Sequence, residues 1–335
     1  MIYKKPDVPS RYFPAFLENI PRQDGKVFVI TGTTSGTGRV VAKTLASYGG
    51  RVVMLNRDSE RAQRVQAELG IMYPEAEINT ISCDLQNFNS VRSAVIKIKD
   101  RYPEGLYALI NNAGIMAMPD EATIDGFDTQ MQTNHLSHFL LTAELFHLLE
   151  KGAEQYGESR VINHSSIARL AVRRLEAKYL EKRGGKLGGN GASMLFSGAR
   201  WVRYSQTKLA NAVFTAALHQ KLKANSSKVK ALVAHPGFAN TELQVTTNRN
   251  GGMSGVSSIF ARWISQSSED GALGLLSCAV KAEAESGEFY GPGRTLVATK
   301  GPAEPFTLDK RYNHPKTLEL LWSKSCEAIG QSFQI

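Results

Sequence analysis

The sequence predicts one doubly wound α/β domain, with a mainly parallel seven-stranded sheet and helices on both faces. Three observations predict it. From Lys26 onward, short β-branched runs alternate with helix-length amphipathic segments. The first such run, Val27–Thr31, leads straight into a glycine-rich turn and then a helix. Nothing else competes: there is no internal repeat, no low-complexity tract and no apolar stretch near the ~18 residues of a membrane span.

The strands are expected at 27–31, 51–56, 78–83, 107–111, 160–164 and 229–234, with a seventh near 288–290. Helices are expected near 37–48, 59–72, 88–101, 128–150, 204–224 and 269–284, and a last one near 315–329 after Pro315. Residues 1–25 hold four prolines and no periodicity, and read as an extension lying on the domain surface. The catalytic domain is then 26–312 and the C-terminal helix belongs to 313–335. Leu136–Leu149 is apolar but broken by Ser137, His138, Thr142, Glu144 and His147, as in a buried or interface helix.

Composition is ordinary for a globular chain of 335 residues, 42% hydrophobic and 21% charged. Cys83, Cys278 and Cys326 form neither a disulfide framework nor a metal-ligand spacing, so a reducing compartment is expected and no metal. The first residues lack the apolar core of a signal peptide, which makes a cytoplasmic location the expectation. Net charge is +9, but residues 167–203 alone hold nine Lys or Arg against two Glu, which is +7 and leaves +2 elsewhere. The charge therefore belongs to one segment and not to a nucleic-acid-binding surface. That segment is a candidate for peripheral membrane contact.

Gly32, Thr34, Ser35, Gly36, Thr37 and Gly38 lie between the first strand and its helix. A strand, a glycine turn and a helix N-terminus make a phosphate cradle, because glycine lets backbone N–H groups approach a pyrophosphate. The second strand ends at Asn56, followed by Arg57 and Asp58. A carboxylate at that strand end would bind a ribose 2′-hydroxyl and favour NAD. Arg57 in its place pairs with a 2′-phosphate, with Arg39 as a second cation, so NADP(H) is the expected cofactor. The plainer alternative for Arg57 is a solvated loop cation. A strand end one residue later would put Asp58 near the ribose.

Tyr204 and Lys208 are four residues apart and share one helix face. An ammonium beside a phenol favours the phenolate and lowers its pKa, which suits acid–base work. Taken singly, Tyr204 reads as an interface aromatic and Lys208 as a solvated cation.

The ordered set of glycine turn, Asn111-Asn112-Ala113-Gly114, Ser165-Ser166 and Tyr204-x-x-x-Lys208 resembles the classical short-chain dehydrogenase/reductases, in their retinol-dehydrogenase-like branch. The resemblance spans roughly residues 26–292. It implies a Rossmann-type domain and carbonyl–alcohol interconversion, with Tyr204 as general acid/base. It implies that Ser166 holds the reacting oxygen and that Lys208 binds the nicotinamide ribose. Asn134 would hold a relay water. The same resemblance assigns Asp84 and Leu85 to adenine, Asn112, Ala113 and Gly114 to the adenine ribose side, and Pro236, Gly237 and Thr241 to the nicotinamide pocket. It also implies pairing of two copies through the helices near 128–150 and 204–224.

Two departures stand out. Thirty-seven residues separate Ser166 from Tyr204, more than in classical members. Ala168, Val172, Leu175 and Tyr179 have helical spacing there, and 184–191 holds five glycines in eight residues. A lid with outward cations is one reading, and a solvated surface helix the other. The second departure is the lack of an apolar N-terminal anchor. Val256, Ile259, Phe260, Trp263 and Ile264, within 238–268, either line a lipophilic substrate site or simply pack a helix. A protochlorophyllide-reductase-like enzyme shares the insert but needs a cysteine, which 167–203 lacks. A non-catalytic NADP-binding redox sensor is the reading from another class.

Overall fold

A computed structural model describes residues 8–57, 59–193, 198–238, 247, 251, 265–293, 299–307 and 311–335. The sheet has eight strands: β1 Val27–Thr31, β2 Arg51–Asn56, β3 Ile78–Ser82, β4 Ala108–Asn111, β5 Ser159–His164, β6 Val229–Ala234, β7 Glu288–Pro292 and β8 Ala303–Thr307. Their spatial order is β3-β2-β1-β4-β5-β6-β7-β8, parallel throughout except β7–β8. The central strands β1, β4 and β5 are buried along their whole length, which is why β1 reads as a near-continuous apolar run.

The expected sheet had seven strands. β8 escaped because its sequence, Ala-Glu-Pro-Phe-Thr, carries a proline. Proline is tolerated here because β8 is the edge strand, with Pro305 opposite Tyr290 and Phe306 stacked on Phe289 at 4.7 Å.

The described helices are α1 Phe13–Leu17, α2 Gly36–Ser47, α3 Glu60–Met72, α4 Phe88–Arg101, α5 Thr129–Met131, α6 Ser137–Tyr156, α7 Ala199–Ala224, α8 Ser268–Val280 and α9 Pro315–Ile329. Local chemistry sets several ends. Ser59 caps α3 by accepting from the Ala62 N–H, and Asn87 caps α4 through Asn89 and Ser90. Gly157 and Gly330 close α6 and α9 in the left-handed conformation. Part of the N-terminal extension contacts α8: Asp270 accepts the N–H groups of Arg11, Tyr12 and Phe13 at 2.9–3.0 Å.

Two apolar layers flank the sheet. One joins α2, α3 and α8 through residues such as Val41, Leu45, Val65 and Leu275. The other joins α4, α6, α7 and α9 through Val95, Leu140, Phe214 and Leu321. The helix faces expected to pair two copies are partly covered by the chain's own C-terminus. Trp322 of α9 meets Phe139 edge-on at 5.3 Å and stacks on Phe333 at 4.9 Å, and Phe333 contacts Phe146. No helix among the described residues is long and apolar enough to cross a membrane.

The insert differs from the amphipathic helix expected. Residues 167–180 form two short 3-10 turns, Ile167–Ala171 and Ala177–Leu180. Leu175 and Tyr179 are buried, as that pattern required, and Ala168 and Val172 are half-buried. The cations do not all face outward: Arg169 and Arg203 are buried, while Arg173, Arg174, Lys178, Lys182, Arg183 and Lys186 are exposed.

Candidate active site

Strand order reverses between β1 and β4, and a crevice opens at their C-terminal ends, where open α/β sheets bind ligands. A cavity of about 1110 Å³ lies there. That exceeds the ~300–1,000 Å³ of most single-ligand sites, so it has room for a cofactor and a substrate together.

The glycine turn forms one wall. Gly32 and Gly36 have φ of +72° and +55°, open to glycine without strain. Gly38 is required for another reason: a Cβ there would lie 2.3 Å from both the Asn112 Nδ2 and the Gly32 carbonyl oxygen. Thr37 Oγ1 donates to Asn112 Oδ1 at 2.9 Å, and Asn112 Nδ2 donates to the Thr31 carbonyl at 2.9 Å. Thr31 accepts the N–H groups of Asn112 and Ala113 on its hydroxyl. Thr34, Ser35, Gly36 and Thr37 line the cavity, as do Asn112, Ala113 and Gly114 opposite them.

The second strand end departs in detail from the expected ribose contacts. Asn56 lines the cavity, but its side chain braces the glycine turn, accepting the Thr33 N–H and donating to Thr33 Oγ1, both at 2.8 Å. Arg57 is exposed on the cavity rim without an ion pair to another described residue. Arg39 turns instead to Glu68, 2.6 Å away, and does not line the cavity. Asp58 and Thr241 lie outside the described residues, as do Val256, Ile259, Phe260, Trp263 and Ile264. Asp84 and Leu85 both line the cavity, and Asp84 also turns the chain by accepting the Gln86 N–H.

Tyr204, Lys208 and Ser166 come together at the other end of the cavity. Tyr204 sits in the second turn of α7, which begins at Ala199. The serine pair divides its work. Ser165 Oγ donates to the Lys208 backbone carbonyl at 2.7 Å and is buried, whereas Ser166 Oγ accepts the Ala168 N–H at 3.2 Å and lies beside the Tyr204 phenol. Lys208 Nζ donates to the His164 carbonyl at 3.0 Å.

The electrostatics differ from the expected phenolate-favouring pair. Burial pushes the Tyr204 phenol up to about 12, with the Ser166 bond pulling it back only in part. Burial brings Lys208 down to about 8. Its Nζ stands 5.7 Å from the Tyr204 ring centroid, over the ring and held to His164. Desolvation is the largest cause at Tyr204 and the one cause at Lys208, so the phenol is protonated at neutral pH.

Asn134 falls in a single π-helical turn, Gln132–Leu136, between α5 and α6. Such turns often mark functional sites. Its amide binds both backbone groups of Ile115, at 2.8 and 2.9 Å, and donates to Thr207 Oγ1. His138 Nδ1 lies 3.1 Å from the Asn134 carbonyl, which fixes the proton there, so Nε2 accepts from Thr31 Oγ1 at 2.9 Å. The π turn is thus wired to the glycine-turn wall. Burial lowers His138 to about 4 and keeps it neutral.

The sequence reading missed Thr31, Thr33, His138 and Thr207, which hold the named residues. It also missed the apolar wall of Ile115, Met116, Leu170, Trp201, Val202 and Phe238. A threonine ending the first strand was the one signal present for Thr31. Pro236 and Gly237 line the cavity, and Gly237 is left-handed at φ +61°. His235 Nδ1 accepts the Gly237 N–H at 3.2 Å, which gives that histidine a turn-shaping role.

The residues fit a nicotinamide dinucleotide. The glycine turn, lined by Gly32, Ser35, Gly36 and Thr37 at the start of α2, shares one cavity with a buried lysine and phenol. Among the described residues no cluster would hold a metal ion.

Comparison with known proteins agrees with this geometry. The family described as short chain dehydrogenase matches residues 26–180. Retinol dehydrogenase 12 of Mus musculus is 30% identical over 308 residues, 91% of this chain and 87% of its own. Polyprenol dehydrogenase of Homo sapiens is 32% identical over 319 residues, 94% and 88% of the two chains. Among solved structures, an uncharacterized protein from Mycobacterium Paratuberculosis superposes with a TM-score of 0.73 at 28% identity, covering 98% of this chain and all of that one. L-Sorbose reductase from Gluconobacter frateurii, solved with NADPH and L-sorbose, shares the fold at TM-score 0.59 and 18% identity, covering 83% and 98%.

Proposed function

Because the chain belongs to the short-chain dehydrogenase/reductase family, in its retinol-dehydrogenase-like branch, we propose that it is an NADP(H)-dependent oxidoreductase interconverting a carbonyl and an alcohol on a lipophilic small molecule. One observation carries the reading: Tyr204, Lys208 and Ser166 share a single cavity with the glycine turn.

Gly32, Ser35, Gly36 and Thr37 would hold the pyrophosphate at the start of α2, and Arg57 a 2′-phosphate. When bound, the nicotinamide supplies or takes the hydride. Ser166 orients the substrate oxygen beside Tyr204. Tyr204, held protonated by burial, gives its proton to that oxygen as the carbonyl is reduced, and takes it back in alcohol oxidation. Lys208, tied to the His164 carbonyl, places its ammonium under the phenol and toward the ribose. The apolar wall of Met116, Leu170, Val172 and Trp201 supports a lipophilic substrate, as does the likeness to retinol and polyprenol dehydrogenases. The exposed cations of the insert support peripheral contact with an anionic membrane surface.

The test is NADPH oxidation with a panel of lipophilic aldehydes and ketones, with Tyr204→Phe alongside. Turnover by the wild type, reduced at least ~100-fold in the variant with NADPH binding retained, is expected. Equal turnover by both proteins refutes the role of Tyr204. NADPH binding without turnover on any substrate favours the sensor reading.

A further inference from the structure

The residue before Tyr204 is a fully buried arginine. Arg203 Nη1 donates to the Leu187 carbonyl at 3.2 Å and the Gly189 carbonyl at 2.9 Å, and Nη2 donates to the Met118 carbonyl at 3.1 Å. Its Nε lies 3.2 Å from Asp128 Oδ2, and Nη1 lies 3.6 Å from Asp120 Oδ2. The Nε approach is one of charges and lacks the alignment of a hydrogen bond. The two carboxylates reach outward in turn. Asp120 Oδ2 accepts the N–H groups of Leu187 and Gly189 at 2.8 and 2.7 Å. Asp128 Oδ1 accepts the Met131 N–H at 2.8 Å and so caps α5, the helical turn that leads into Asn134.

One guanidinium therefore joins several segments around the reaction end of the cavity. It is next to Tyr204 in α7. Through Asp128 it holds the start of the Asn134 turn. Through Leu187 and Gly189 it holds the glycine-rich part of the insert. Through Met118 it holds the loop 115–120, whose Ile115 and Met116 line the cavity. Asn134 grips that loop at its other end.

The loop needs holding. Ala117 is left-handed, at φ +50°, a conformation that an alanine enters only at a cost. Bonds surround it: Thr247 Oγ1 to the Met116 carbonyl at 3.0 Å, Arg203 to that of Met118 and Asn134 to Ile115. Such strain persists only where the surroundings over-determine it.

We propose that Arg203, with Asp128 and Asp120, is a positioning unit that holds Tyr204, the Asn134 turn and the substrate-side loop 115–120 in register. This rests on the oxidoreductase reading above. Arg203 touches neither the glycine turn nor the rim at Arg57, so its removal spares cofactor binding and impairs the proton-transfer end.

The experiment compares wild type, Arg203→Met and Arg203→Lys by NADPH dissociation constant, KM and kcat with a carbonyl substrate that the wild type turns over. Wild-type turnover tests the enzyme reading by itself. For the positioning role, Arg203→Met is expected to lower kcat at least tenfold with the NADPH constant within twofold, and Arg203→Lys, which keeps the charge but not the fork, to recover part of kcat. If Arg203→Met does not fold, Asp120→Asn is measured the same way, with a severalfold fall in kcat expected. Unchanged kcat overturns the proposal. So does a kcat loss matched by an equal loss of NADPH affinity, which would mark a general structural role.

Discussion

Lys208→Met should make the protein more stable while removing its activity. Lys208 is 4% exposed, and burial alone moves it from 10.5 to about 8. At about 1.4 kcal/mol for each tenfold change in proton affinity, the native state carries a penalty of about 3 kcal/mol for a charged amine at pH 7. Methionine keeps the apolar stem and loses the bond to the His164 carbonyl, worth about 1 kcal/mol. That carbonyl keeps a partner, because Asn211 Nδ2 also donates to it at 2.9 Å. The net gain expected at pH 7 is therefore roughly 2 kcal/mol. The penalty is full below about pH 8, where the folded and unfolded amines are both protonated. It fades as pH rises toward 10.5, because there the unfolded chain still binds a proton that the folded chain has released. By pH 10 the two proteins should be nearly equal in stability. Urea unfolding of both, without cofactor, at pH 7 and pH 10 measures this. A variant no more stable than wild type at pH 7, or an advantage that does not shrink by pH 10, refutes the reasoning. The stability gained would be the cost that the site bears for its chemistry.

Two further outcomes follow from the same geometry. Arg57→Ala should weaken NADPH binding about tenfold or more and leave NADH unchanged, because a lost charge-assisted bond costs ~1.5–3 kcal/mol only where a 2′-phosphate accepts it; titration of each cofactor checks it. Trp322→Ala should cost about 3 kcal/mol in unfolding free energy, since its ring stacks on Phe333, meets Phe139 edge-on and carries Lys221 over its face at 4.6 Å; urea midpoints read this directly.

The parts of the site visible in the sequence were those set by local chain geometry. A glycine turn after β1 and a Tyr–Lys pair on one helix face each follow from spacing within a few residues, and their order along the chain fixed their meeting point. What depended on distant partners was hidden. Nothing near Arg203 in sequence announces Asp120 or Asp128, so a basic segment read as a solvated surface. Arg169 likewise folds inward, donating to Tyr312 Oη at 2.8 Å and lying 4.3 Å over Phe289. Asn56 and Arg39 were placed correctly on the chain, yet Thr33 and Glu68 claim their side chains. The phenol–ammonium pairing was inferred from charge alone, and burial, which a sequence does not display, reversed its sign at Tyr204.

The placement of α9 has a consequence for mass action. Where a second copy covers a helix face, the stability gained depends on protomer concentration and is lost on dilution. Here Trp322 and Phe333 reach α6 and α7 from the same chain, so their effective concentration is set by the tether and not by expression level. The stabilisation that Trp322 and Phe333 give to that face is therefore carried undiminished into the most dilute compartment.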